Sequence, residues 1–171
     1  MKYIYFPLLI FFLGFITSCG NNDDAPAESQ IRIQDEFLPS SLTFNTADKN
    51  FYDLCKQWSD THWIINSAKD LPKDPIGFND SYKNINFSEY SLLVVYRLHN
   101  FTIDTYQNSF VKNNLENTYN WFLSIGGSNF GNDNYDTLSF TRFAIKINKI
   151  PDNANLEVWW GFKDMSYEWS K

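Results

Sequence analysis

The run Ser91-Leu92-Leu93-Val94-Val95-Tyr96-Arg97 limits the folds open to this chain more than any other stretch. A strand with one wet face alternates apolar and polar residues. This run is apolar at consecutive positions, so it must be covered on both sides. The sheet is expected to be built around it, with a packing layer on each face.

The flanking segments say what those layers are. Ile31-Arg32-Ile33 alternates and is read as opening a first strand, and Leu42-Thr43-Phe44 as a second, with Pro39 marking a break between them. Residues 46–58 change period. Phe51, Leu54, Cys55 and Trp58 fall at i, i+3, i+4 and i+7 on one face of a helix, opposite Asp48, Lys49, Asp53, Lys56 and Gln57. Asn45 or Thr46 is expected to cap it, with Asp48 favourably placed in the helix dipole. His62-Trp63-Ile64-Ile65-Asn66 reads as a strand. Residues 67–84, which carry Pro72, Pro75 and Gly77, read as loop with one helical turn near 68–71.

Beyond the central run, residues 106–112 alternate and Asn113-Asn114 turns the chain. Tyr119, Trp121, Leu123 and Ile125 then share one face against Asn120 and Ser124, and Gly126-Gly127 is expected to end that strand. Phe143, Ile145 and Ile147 alternate with Arg142, Ala144, Lys146 and Asn148, and Pro151-Asp152-Asn153 leads into a last strand over 156–162. Short-spaced strands with one early amphipathic helix and no internal repeat predict a mainly β (α+β) domain, an antiparallel sheet or sandwich.

The beginning of the chain has a different character. Lys2 precedes a nearly unbroken apolar run over 3–16, and Pro7 and Gly14 make that run short and weak as a membrane-spanning helix. It has the form of a signal peptide. The run ends in Thr17-Ser18-Cys19-Gly20, and small residues directly before a cysteine resemble the bacterial lipobox. That resemblance implies cleavage before Cys19 and attachment of diacylglycerol and a further acyl chain such as palmitate to Cys19. Two or more chains hold a protein on its membrane, where a single one binds marginally. The polar stretch Gly20-Asn21-Asn22-Asp23-Asp24, followed by Ala25-Pro26-Ala27-Glu28-Ser29, resembles the export signal of Bacteroidota-type lipoproteins. It implies an outer-membrane location, at the cell surface or on the periplasmic face. The expected organisation is a signal peptide over 1–18, a lipidated cysteine with a flexible tether over 19–30, and a single β-rich domain over 31–171.

Ile85-Asn86-Phe87-Ser88-Glu89-Tyr90 leading into the central run, after an early Trp-containing helix and strand, resembles the β-rich domain family named for a protease-complex subunit (PrcB-like). The likeness spans about residues 63–162, although the turn His99-Asn100-Phe101-Thr102 lacks the glycine usual in that family. It implies a non-catalytic domain with a binding or scaffolding role, or a partner subunit of a secreted protease or envelope complex.

Charge narrows the partners. Loss of the leader, with its single Lys2, takes the formal charge of −6 to about −7, and the chain has no basic run. Such a body repels phosphate backbones, so no nucleic-acid partner is expected. With Cys19 assigned to lipid, Cys55 stands alone as a buried thiol or an intermolecular bridge, and its apolar helix face favours the former.

Few residue groups could carry chemistry. The histidines are His62 and His99, no Gly-x-Ser-x-Gly elbow or His-Glu-x-x-His pair occurs, and no metal or cofactor is expected. A Cys55–His99 pair would need a polar, partly exposed thiol. A hydrolase would instead gather His62 or His99 with acids in a polar pocket. Asn132-Asp133-Asn134-Tyr135-Asp136 holds oxygen ligands in one loop but lacks the order and closing Glu of a calcium loop, and Asp136-Thr137-Leu138 resembles the O-glycosylation site of Bacteroidota exported proteins. In the last strand, alternation puts Leu156, Val158, Trp160 and Phe162 inside and Trp159 with Glu157 outside. These two form the expected ligand-binding pair for a glycan or protein partner, unless a tail carrying Tyr167 and Trp169, or the helix, covers Trp159.

Overall fold

The computed structural model describes residues 28–77, 80–128 and 136–162. The leader with Cys19, most of the Asn132 to Asp136 loop, and Tyr167 with Trp169 lie outside them. The strands are β1 (Glu28–Gln30), β2 (Ile33–Asn45), β3 (His62–Ile65), β4 (Tyr90–His99), β5 (Thr102–Asn113), β6 (Thr118–Ser128), β7 (Thr137–Asn148) and β8 (Asn155–Phe162), with one helix, α1 (Lys49–Trp58). They form two four-stranded sheets, ordered β1-β5-β6-β8 and β2-β7-β4-β3. The mainly β sandwich with one early helix expected from the sequence is therefore the architecture observed.

β4 is an inner strand of its sheet, as its doubly apolar run requires. Leu93 and Val95 point between the sheets, where they meet Phe143, Ile145 and Ile147 of β7 and Trp121, Leu123 and Ile125 of β6. Leu92, Val94 and Tyr96 point the other way, into a second core closed by Cys55 of α1, Ile65 of β3, and Tyr82. Each fully buried large side chain in these cores stabilises the fold by about 1.5–3 kcal/mol. Arg142 and Ala144 of β7 also face this second core, both nearly inaccessible, so the residues alternating with Phe143 and Ile145 are covered by helix and loop.

Asp48 caps α1 with its carboxylate, which accepts the Phe51 N–H at 3.1 Å. The expected cap Asn45 instead turns back on the Ala47 N–H at 2.8 Å, two residues before the helix starts. Cys55 is fully buried, whereas Leu54 lies at the rim of the helix face and is exposed.

Several sequence expectations are corrected. The two strands expected on either side of Pro39 are one strand, β2, with a register shift against β7 between Phe37 and Ser40. Proline removes only a donor there, and an edge strand at a bulge does not use one. Glu28–Gln30, expected in the tether, pair with Asn113, Lys112 and Val111 of β5, so backbone pairing holds a segment too polar to be found by its side chains. Gly126 and Gly127 do not end β6, which continues to Ser128 through an irregularity opposite Ile103 and Thr105. The loop after β3 holds the expected short turn, Ala68–Asp70, and a second, Asp80–Asn84, which carries Tyr82 into the core. One pairing is parallel, β6 with β8. It arises because β7 returns in the other sheet, so that β8 re-enters in the direction of β6.

Candidate functional site

The two sheets end on one side at β3 and β8. Between these edges lies a cleft of about 460 Å³ whose lining includes Asp60, His62, Arg97, Asn155, Glu157 and Trp160. Local structure brings each of them there. Asp60 sits in the turn after α1 with φ of 61°, a left-handed conformation that aspartate tolerates, and its N–H bonds the Tyr96 carbonyl at 2.8 Å. His62 opens β3 opposite Val95 and so projects on the inter-sheet side. Arg97 follows two residues later on β4, with the same parity as Val95.

Arg97 is held from two directions. Its Nη1 donates to Asp60 Oδ1 at 2.6 Å, and its guanidinium lies 5.1 Å from the Trp160 ring centre and 5.9 Å from that of Phe162. The Asp60 carboxylate is well exposed, so the ion pair adds at most about 1 kcal/mol. Its value is positional, because the ring faces and the carboxylate together fix a long cationic side chain. His62 is exposed yet partly desolvated by the cleft walls, which lowers its pKa below the usual histidine value. It shares the cleft with Asp60 and Glu157, but no hydrogen bond among the described residues orients its ring.

β3 carries a second feature on its opposite face. Trp63 stacks on Trp58 of α1 at 5.8 Å, Trp58 meets Tyr96 edge-on at 5.2 Å, and Tyr96 stacks on Phe140 at 5.5 Å. This column of rings runs from the second core to the surface, where Trp63 is 41% exposed.

The other predicted residues are separated from the cleft or occupied. His99 is buried, with Nδ1 2.8 Å from the Phe101 carbonyl and Nε2 2.7 Å from Thr141 Oγ1. A carbonyl only accepts, so Nδ1 carries the proton and Thr141 donates to Nε2. Burial pushes the pKa of His99 down to about 4, with a further contribution from Arg97 against the opposing effect of the Phe101 carbonyl. Cys55 packs on the helix side of the sheet among Leu92, Val94 and Tyr96, whereas His99 has the parity of Leu93 and Val95. The Cys55–His99 pair is not formed, and burial pushes the Cys55 thiol up to about 11. Trp159 lies on the outer face with Glu157, as expected. It is half-buried, stacked on Phe122 at 6.2 Å with its indole N–H on Asn120 Oδ1 at 3.2 Å.

Sequence reasoning missed the Arg142–Asp74 pair. Arg142 Nη1 donates to Asp74 Oδ2 at 2.6 Å and to the Gly77 carbonyl at 2.7 Å, and the Tyr96 hydroxyl donates to the same Asp74 oxygen at 2.8 Å. The two charged side chains are 4% and 2% exposed. Burial and the neighbouring Asp74 carboxylate raise the Tyr96 pKa. Beside this pair lies a hollow of about 540 Å³ lined by Leu71, Pro72, Lys73, Asp74 and Lys83 among others. The pair ties the long loop after β3 to the sheet. No three His, Cys, Asp or Glu side chains converge as a metal site among the described residues.

In comparisons with family models, with curated proteins and with solved structures, the chain matches none.

Proposed function

We propose that the protein is an exported lipoprotein, held on the outer membrane by acyl chains at Cys19, whose β-rich domain is a non-catalytic module that binds its partner at the open side of the sandwich. The observation that carries the binding part is the cleft between β3 and β8. There Arg97 is fixed by Asp60 and two aromatic rings, and the one histidine of the cleft is aligned with no nucleophile among the described residues. The anchoring part is supported by the leader and the Thr17-Ser18-Cys19 junction. Glu157 borders this cleft at the β8 edge although it alternates to the same outer face as Trp159, and Trp159 marks that face as a further contact surface.

A hydrolase is the second reading, favoured by the presence of His62, Asp60 and Glu157 in one cleft. A partner subunit of a secreted protease or envelope complex is the form that the family likeness suggests for the binding reading.

The anchoring test is Cys19→Ala followed by membrane fractionation. The precursor is expected to remain unprocessed or to be released in soluble form, and unchanged membrane retention of a processed protein overturns the anchoring. Protease treatment of intact against lysed cells then separates the cell surface from the periplasmic face. Hydrolysis of ester or glycoside substrates that disappears in His62→Ala would replace the binding reading with the enzymatic one.

A further inference from the structure

We infer that the β3 edge is a carbohydrate site, in which the indole of Trp63 and the adjoining Asp60–His62–Arg97 cleft take a neutral, hydroxyl-rich oligosaccharide. This deepens the binding reading above and rests on it.

The first ground is the ring column. One face of Trp63 lies on Trp58, Tyr96 braces Trp58 from below, and Phe140 in turn backs Tyr96. The exposed indole has therefore already lost its conformational freedom, and a ligand stacking on it orders nothing further. A rigid, partly exposed tryptophan presents apolar area together with a polar tip, which suits the C–H face and the hydroxyls of a sugar ring. Among the described residues neither the Trp63 N–H nor the His62 ring has a hydrogen-bond partner, although the two residues are consecutive on β3.

The second ground is charge. Among the described residues lining the cleft Arg97 is the one cation, and Asp60 engages it at 2.6 Å. A phosphate, sulfate or acidic sugar finds no uncommitted positive group among them, and partial desolvation disfavours the charged form of His62. The lining still offers acceptors on Asp60 and the amide oxygen of Asn155, donors on Arg97, and either role on His62. Hydroxyl groups, which both donate and accept, match that mixture. Platform and cleft lie on opposite faces of β3, so a ligand that uses both must cross the strand edge, and oligosaccharides are expected to bind more tightly than single sugars.

The test uses the purified full chain in detergent, with maltohexaose, cellohexaose, mannohexaose, xylohexaose and chitohexaose as probes. Binding is followed by calorimetry and tryptophan fluorescence at low and high salt, and released reducing ends are measured in the same samples. At least one hexamer is expected to bind with little salt dependence, more tightly than its monosaccharide. Trp63→Ala should weaken that binding roughly tenfold or more, Trp63→Phe should retain most of it, and Leu115→Ala at an exposed hairpin tip should leave it unchanged. Unfolding midpoints of the variants establish that they fold. The inference is overturned if no hexamer binds, if binding survives Trp63→Ala, or if it collapses with salt and is displaced by a quaternary ammonium ion. Release of reducing ends would leave the carbohydrate site standing and remove the non-catalytic reading. Absence of sugar binding together with a protein crosslinked to the cleft would do the reverse.

Discussion

Replacing Asp74 by asparagine should destabilise the domain by roughly 3–5 kcal/mol, the cost of leaving one member of a buried ion pair without its partner. The geometry places the effect in that range. Asp74 and Arg142 are 2% and 4% exposed, so water cannot replace the lost charge. Arg142 would keep the Gly77 carbonyl at 2.7 Å and Ser40 Oγ at 3.3 Å, but its Nε is already buried without a partner. Against a total stability of about 5–15 kcal/mol for a domain, this is a large fraction. At roughly 2–4 °C per kcal/mol for a chain of this size, the midpoint should fall by about 6–20 °C. Urea unfolding followed by tryptophan fluorescence measures it directly, with an unchanged slope if the unfolded state is unaffected. The companion variant Asp74→Leu/Tyr96→Phe/Arg142→Met removes the three interacting side-chain groups together, leaving only the Gly77 carbonyl and Ser40 hydroxyl, and should lose far less than the sum of its single changes. A cost below about 1 kcal/mol for Asp74→Asn, or additive losses in the triple variant, would refute the reasoning.

His99 supplies a pH dependence. Its folded pKa of about 4 lies below the ordinary histidine value of 6.5, so between these values the unfolded chain binds the extra proton. The contribution of His99 is complete above about pH 6.5 and is lost as pH falls toward 4, to a maximum of about 3 kcal/mol. In paired urea titrations, His99→Gln should lack that part of the acid slope, and identical slopes would remove His99 as its source. Cys55, fully buried with its thiol pushed up to about 11, should resist iodoacetamide at pH 8 in the native protein and react once unfolded. Rapid native labelling at Cys55 would contradict the burial.

Much of the architecture was legible because its signals are local. The run over 91–96 announced a strand covered twice, the 3.6-residue spacing of Phe51, Leu54, Cys55 and Trp58 announced the helix, and alternation announced β6 and β7. What escaped were features set by distant partners. Asp74 and Arg142 are 68 residues apart, and nothing in either neighbourhood names the other. Arg142 did leave a trace, as a charge inside a strand whose neighbours were all destined for burial. His62 and Glu157 were each singled out in the sequence and Asp60 was not, but only the meeting of the β3 and β8 edges joins His62 to Glu157. Trp159 drew notice as the residue alternating outward beside a core tryptophan. Trp63 did not, because a four-residue edge strand is too short for alternation to distinguish its faces.

The pairing of β2 with β7 has a consequence for how the chain can be made. Ile33 lies opposite Ile147 and Asn45 opposite Thr137, so roughly a hundred residues must be delivered before β2 meets its neighbour. β8 likewise cannot join β6 until the chain has crossed through the other sheet. Closing such large loops costs entropy before any contact rewards it, which makes folding slow relative to helical proteins. A chain emerging from its N-terminus, whether from a ribosome or through a pore, therefore stays threadable until nearly its whole length is through.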